Sequence, residues 1–130
     1  MNEIKIYDVQ VKLAYSKFNE NKDTTEYKIL VDGLSDDDYL ALDEVFKDVG
    51  KKYIPNWFKE KNGEMFLKSR YDFGVLTTEE TKVKFSEWVE SGTTIGSKIR
   101  LKVVLKDGII YPKAIKIIED GEQKDLFSDM

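Results

Sequence analysis

The sequence predicts a mainly β domain of small-barrel type, with one or two α-helices and an acidic C-terminal segment. Three observations carry this reading. In residues 98–106, Ile99, Leu101, Val103 and Leu105 alternate with Lys98, Arg100, Lys102, Val104 and Lys106, the period of a half-buried strand. Asp107-Gly108 then turns the chain into a second apolar run over residues 109–118, as in a hairpin with a two-residue loop. The first apolar run changes parity part-way along, which a bulge produces in the bent strands of small barrels.

That first strand covers residues 4–15. Val9, Val11, Leu13 and Tyr15 share one side, whereas Ile4 and Ile6 have the opposite parity, so the slip falls near Tyr7. Residues 16–24 read as a polar loop, and residues 26–31 as a second strand stopping at Asp32-Gly33. Ser35 suits a helix N-cap, Asp36, Asp37 and Asp38 fill the first turn, and Gly50 follows the last periodic residue. Tyr39, Leu42, Phe46 and Val49 form the apolar face of that helix. Acids at a helix N-terminus explain the three Asp better than a metal site does, because successive helical residues point in different directions.

Residues 51–58 are a connector containing Tyr53, Pro55 and Trp57, and Asn62-Gly63 is a turn before an extended run over residues 64–73. Residues 77–91 fit a strand running into a short helix: Val83 and Phe85 alternate with Lys82 and Lys84, while Thr81, Phe85 and Trp88 suit a helix face. Pro112 cannot donate to a ladder and marks an edge or a bulge in the returning strand. With no internal repeat, the expected organisation is one domain over residues 1–118 and an acidic segment over residues 119–130.

A chain of 130 residues, 41% hydrophobic and 12% aromatic, can bury one ordinary core. It contains neither Cys nor His, which excludes disulfides, thiolate or imidazole metal sites and Ser-His-Asp chemistry. No cofactor and no metal is expected. No apolar run is long enough to cross a bilayer and the N-terminus does not read as a signal peptide, so the expected compartment is the cytoplasm. An enzyme reading rests on Asp72 followed by Glu80-Thr81-Lys82, the order of a metal-dependent nuclease set. Three common residue types in a chain that is 35% charged match by chance, and the expectation is a protein without catalysis.

The net charge of -4 is unevenly spread. Residues 1–50 hold 12 acidic and 6 basic side chains, residues 51–118 hold 8 and 14, and residues 119–130 hold 5 and 1. A polyanion responds to the local field of the basic stretch rather than to the average. That stretch also interleaves aromatics. Phe66, Lys68 and Arg70 share one side of their strand, with Met65, Leu67 and Tyr71 on the other. Tyr53, Trp57, Phe58, Lys59 and Lys61 lie upstream; Lys82, Lys84, Lys98, Arg100 and Lys102 lie downstream. Aromatic faces for stacking beside cations for phosphates are what single-stranded nucleic acid requires. Many of the aromatics are core, but Phe66 lies on the same side as two cations that call for solvent or phosphate.

In the acidic segment, Leu126 and Phe127 lie between Asp125 and Asp129. An apolar pair flanked by acids is a peptide ligand for a basic, hydrophobic pocket on a partner, or a competitor for the protein's own basic groove.

The run Phe66-Leu67-Lys68-Ser69-Arg70-Tyr71, Gly96-Ser97 opening the strand over residues 98–106, and the closing segment Asp125-Leu126-Phe127-Ser128-Asp129 resemble the single-stranded DNA-binding proteins of bacteriophages and prophages. The resemblance implies an OB-fold, a Greek-key barrel whose exposed sheet face carries single strands. It also implies work in replication or recombination inside a bacterial host, with proteins of those processes recruited through the tail. Two departures stand out: the clear helix follows the second strand rather than the third, and the chain ends in Met rather than Phe. An alternative is a phage-type adaptor or inhibitor that puts the same aromatic groove on a host protein. Whether copies form a homo-oligomer is left open.

Overall fold

A computed structural model describes residues 2–48, 63–106 and 109–121. Its strands are β1 (Asn2–Asn19), β2 (Thr24–Asp32), β3 (Glu64–Ser69), β4 (Gly74–Leu76), β5 (Lys82–Lys84), β6 (Lys98–Lys106) and β7 (Ile109–Glu119). Among the described residues two helices interrupt them, α1 (Asp36–Asp48) between β2 and β3, and α2 (Phe85–Glu90) between β5 and β6. The strands form one sheet in the order β3-β2-β1-β6-β7-β4-β5. It curls until β3 lies against β7, giving the OB-like half-barrel. The sequence expectation of a mainly β barrel holds. No helix among the described residues is long and apolar enough to cross a membrane.

β1 is the backbone of this arrangement. Its N-terminal half pairs with β6 and its C-terminal half with β2, and the register shifts between Ile6 and Val9 and again between Val11 and Leu13. The first shift is the bulge expected near Tyr7, with Asp8 at φ 59°. The second was not expected, and it turns Leu13 and Tyr15 away from the side that holds Val9 and Val11. Through both bulges the interior stays apolar: Ile4, Ile6, Val9, Val11 and Ala14 are all buried. The strand also continues through the predicted polar loop, leaving a turn of four residues, 20–23, before β2.

α1 begins as its composition requires. The Asp38 N–H donates to Ser35 Oγ (3.2 Å), and Asp38 Oδ2 accepts from the Ser35 N–H (2.9 Å), a reciprocal cap with Asp in place of the usual Glu. Tyr39 and Leu42 are buried. The side chain of Phe46, together with Val49 and the segment 49–62, lies outside the described residues. In β7, the register shift opposite Lys102 and Val103 falls at Pro112 and Lys113, the bulge that Pro112 foreshadows. The Asp107-Gly108 turn lies outside the described residues.

The strand-then-helix reading of residues 77–91 is realised as β5 and α2, so a helix does follow the third barrel strand. α1 is an addition to the barrel rather than a relocation of that helix. β4 escaped the sequence reading: it is three residues long and pairs in parallel with β7, some 40 residues away in sequence. The predicted extended run past residue 69 instead breaks, because Ser69 Oγ both accepts from the Tyr71 N–H and donates to the Tyr71 carbonyl, each at 3.0 Å.

Phe85, the first residue of α2, is fully buried and fastens the helix to the barrel. Its ring stacks on Phe73 at 4.7 Å and meets Tyr27 and Trp88 edge-on at 6.3 and 6.0 Å. The segment after β7 is pinned to the barrel at Gly121, whose N–H donates to Thr93 O and Ser97 Oγ, both at 2.9 Å. A Cβ there would meet Ile95 O at 2.0 Å, so the site admits no side chain. Phe85→Ala is expected to lose about 3–5 kcal/mol of stability, measured by urea unfolding, with the midpoint falling and the m-value unchanged.

Candidate nucleic-acid interface

The outward face of β1, β2 and β3 is built from cross-strand rows. Phe66 stands opposite Leu30, which stands opposite Leu13. Phe66 and Leu13 are 42% and 44% exposed, so an apolar band crosses three strands in contact with solvent. Beside it lies a basic row in which Lys68 is opposite Lys28 and Lys28 is opposite Tyr15. Lys28 Nζ sits 5.6 Å from the centroid of the Tyr15 ring, a cation–π contact. Bases can stack on the first row while phosphates follow the second.

Glu26 adjoins the basic row, with its carboxylate 3.4 Å from Lys28 Nζ and 3.9 Å from Lys68 Nζ. Desolvation pushes its carboxyl upward, but Lys68, Lys28 and Lys22 together outweigh that and hold it below the usual glutamate range. At the far end of the face Lys12 is saturated by Glu64 (2.7 Å) and Asp32 (3.8 Å), and the Glu64 hydrogen bond followed by the charges of Glu64 and Asp32 raises its pKa. The face is therefore net acidic near Glu64 and Asp32 and basic toward Arg70.

An open groove with an aromatic side chain lies at each end of the basic region. One, of about 460 Å³, runs beside the tip of the β1–β2 ribbon and is lined by Lys17, Phe18, Glu26 and Lys28 among others; Phe18 is 53% exposed. The other, of about 480 Å³, lies between the end of β3 and the β6–β7 hairpin, lined by Arg70, Tyr71, Lys106, Tyr111 and Lys113 among others. The β1–β2 turn and the paired ends of β6 and β7 at Lys106 and Ile109 flank the kind of sheet face that OB-folds use for oligonucleotides.

The sequence-predicted residues divide into three sets. Phe66 and Lys68 share the β3 face, and Arg70 lines the groove at its end. Lys98, Arg100 and Lys102 lie on β6, and Lys82 and Lys84 on β5, away from Phe66 across the sheet. Tyr53, Trp57, Phe58, Lys59, Asp125, Leu126, Phe127 and Asp129 lie outside the described residues. Tyr71, expected on the inward side of its strand, is 81% exposed because the strand has ended before it. Leu13, Tyr15, Phe18, Lys28, Leu30 and Tyr111 were missed. The basic-aromatic run Tyr111-Pro112-Lys113, straddling a proline, was the available signal for the last.

The acids of the nuclease reading are engaged elsewhere or apart. The Asp72 carboxylate accepts hydrogen bonds from the Ser86 N–H and hydroxyl at the start of α2, and Glu80 occupies the β4–β5 turn with φ 63°. Among the described residues no group of acidic side chains is arranged to hold a metal ion.

Solved structures share this architecture. A C-terminally truncated single-stranded DNA-binding protein from bacteriophage Enc34 superposes with a TM-score of 0.65 at 14% identity, covering 94% of this chain and 88% of that one. The fold matches that of phage single-stranded DNA-binding proteins. The same phage protein in complex with single-stranded DNA gives a TM-score of 0.62 at 11% identity over 95% of this chain and 89% of that one. No family model and no curated protein sequence matches the chain.

The Glu26 titration tests the electrostatics of the face. With Lys28 and Lys68 changed together to Met, two of the three cations holding the carboxyl down are removed while its desolvation remains. Its midpoint, followed by carboxyl ¹³C NMR, should rise from below the ordinary glutamate value toward or above it. An unmoved midpoint would show that the two ammonium groups do not act on Glu26 in solution.

Proposed function

We propose that the chain binds single-stranded DNA with little sequence preference and without catalysis, in support of phage-type replication or recombination in the bacterial cytoplasm. The observation that carries this is the pairing of two adjacent rows on an OB-like sheet face, Leu13–Leu30–Phe66 for bases and Tyr15–Lys28–Lys68 for backbone. A stacking surface accepts any base, because each has a π-face, and ammonium groups read phosphate without reading sequence. The likeness to a protein whose structure is solved in complex with single-stranded DNA supports the same reading.

Replacing Lys68 and Arg70 with Ala should weaken binding to oligo-dT and reduce the log–log salt slope by about 1.4, at roughly 0.7 per cation lost. Phe66→Ala should cost about 1–3 kcal/mol of affinity and leave that slope unchanged. Fluorescence titrations at several salt concentrations separate the two effects. An adaptor using the same surface on a host protein would show a shallow slope and no loss in the Lys68/Arg70 variant.

The acidic segment is a regulator in this scheme. As a tethered polyanion at high effective concentration it competes with DNA for the basic face, and Leu126 with Phe127 offers a handle to replication or recombination proteins. Because Gly121 is bonded into the body, the informative truncation ends at residue 121 and removes three acids and one Lys. It should bind single strands more tightly than the full chain at low salt, the difference shrinking as salt rises. Equal or weaker binding at low salt would leave recruitment as the segment's role.

A further inference from the structure

The second half of the sheet has an outward face of its own, and it is more basic than the first. Register connects Lys5 to Lys102, Lys102 to Ala114, Ala114 to Gly74 and Gly74 to Lys84 in one row across five strands. The neighbouring row runs Arg100, Lys116, Leu76, Lys82, with the Arg100 guanidinium 5.3 Å from the centroid of the Tyr7 ring. The interleaved inward row, Ile6, Leu101, Ile115 and Val75, is buried, so the two basic rows share the outer side.

This arrangement works against the fold. Lys5 lies directly opposite Lys102, and Arg100 directly opposite Lys116, and like charges in that position destabilise a sheet. Glu3 offsets Lys102 (3.5 Å) and Lys113 (2.8 Å) at one edge. Lys5, Lys82, Lys84, Arg100 and Lys116 have no ion pair among the described residues. Six cations on about 19 Å of sheet, four inter-strand spacings, form a surface suited to a polyanion.

The face is continuous with the first interface. The groove that begins at Arg70 and Tyr71 is also lined by Val104, Lys106, Tyr111 and Lys113, and Val104 precedes the Lys102 row by one step on the same side of β6. We propose that this face is a second track for the sugar–phosphate backbone, onto which a strand too long for the β1–β2–β3 face continues through that groove. The inference rests on the single-strand reading above and adds a path and a larger occluded length.

Lysine acetylation of the full chain, mapped by mass spectrometry with oligo-dT in excess, tests it directly. An oligonucleotide of about 8 nucleotides, within the range one OB-fold covers, should protect Lys28 and Lys68 and leave Lys5, Lys84 and Lys116 reactive; one of about 30 should protect both sets. In the variant Lys5→Gln, Arg100→Gln, Lys102→Gln, Lys116→Gln, the salt slope for the long strand should fall by about 3 while short-strand affinity stays within about twofold. The variant removes both like-charge pairs and should unfold at no lower temperature. Reactive Lys5, Lys84 and Lys116 under the long strand, with Lys28 and Lys68 protected, would overturn the second track and leave the first interface standing. Protection of neither set would overturn both. Protection of Lys5, Lys84 and Lys116 without DNA, relieved by deleting residues 122–130, would assign the face to the acidic segment instead.

Discussion

Everything in this molecule depends on β1 serving two half-sheets at once. It gives its N-terminal half to β6 and its C-terminal half to β2, so the sheet can curl only if β1 bends between them. A regular strand that bends this far would carry its side chains out of phase with the core, because parity is fixed at two. The bulges at residues 7–8 and at residue 12 each supply an extra residue and restore an apolar side chain to the interior. The order Ile4, Ile6, Val9, Val11, Ala14 is the record of that correction in the sequence.

The same bulges create the candidate site. After the second one, Leu13 and Tyr15 face outward beside Leu30, Lys28, Phe66 and Lys68 rather than inward beside Val11. An exposed Leu13 beside a half-buried Tyr15, in a strand whose other side is packed, would be an unexplained cost in a barrel that did nothing with its surface. Fold and interface thus arise from one irregularity. The Ser69 turn acts similarly at the other end, stopping β3 so that Tyr71 swings out into the groove.

Local signals made much of this legible before any coordinates. The β6–β7 strands follow from alternation, and α1 from its Ser35 cap and acidic first turn, because in each case the residues that decide the structure are neighbours in sequence. Non-local effects were illegible. Three residues of β4 are a strand because β7 is there to pair with them. The end of β1, residues 16–19, lies on a ribbon with solvent on both sides, so it shows no alternation to read and hid Phe18 in an apparent loop. Alternation also reported correctly that Lys98, Arg100 and Lys102 share a side, but a sheet curled into a half-barrel has more than one outward face. Only register shows that Arg100 and Lys102 lie away from Phe66 beside Lys116 and Lys5, with Lys98 opposite Gln10 and Glu119.

Net charge is the property that misleads most here. A chain of charge -4 is a poor candidate for a polyanion's partner if its charge is averaged. The fold removes the averaging: α1 gathers acids at one helix end, where Asp38 spends its carboxylate on the Ser35 cap, and the sheet gathers cations in rows. Lys5 lies directly opposite Lys102 and Arg100 directly opposite Lys116, well inside the roughly 10 Å over which charges act at ordinary salt. A sheet that keeps such pairs against their own repulsion is less stable alone than with an anion between them. A ligand supplying phosphates in a line would bind and stabilise through the same interaction, and that linkage would tie the electrostatics of this barrel to its occupancy.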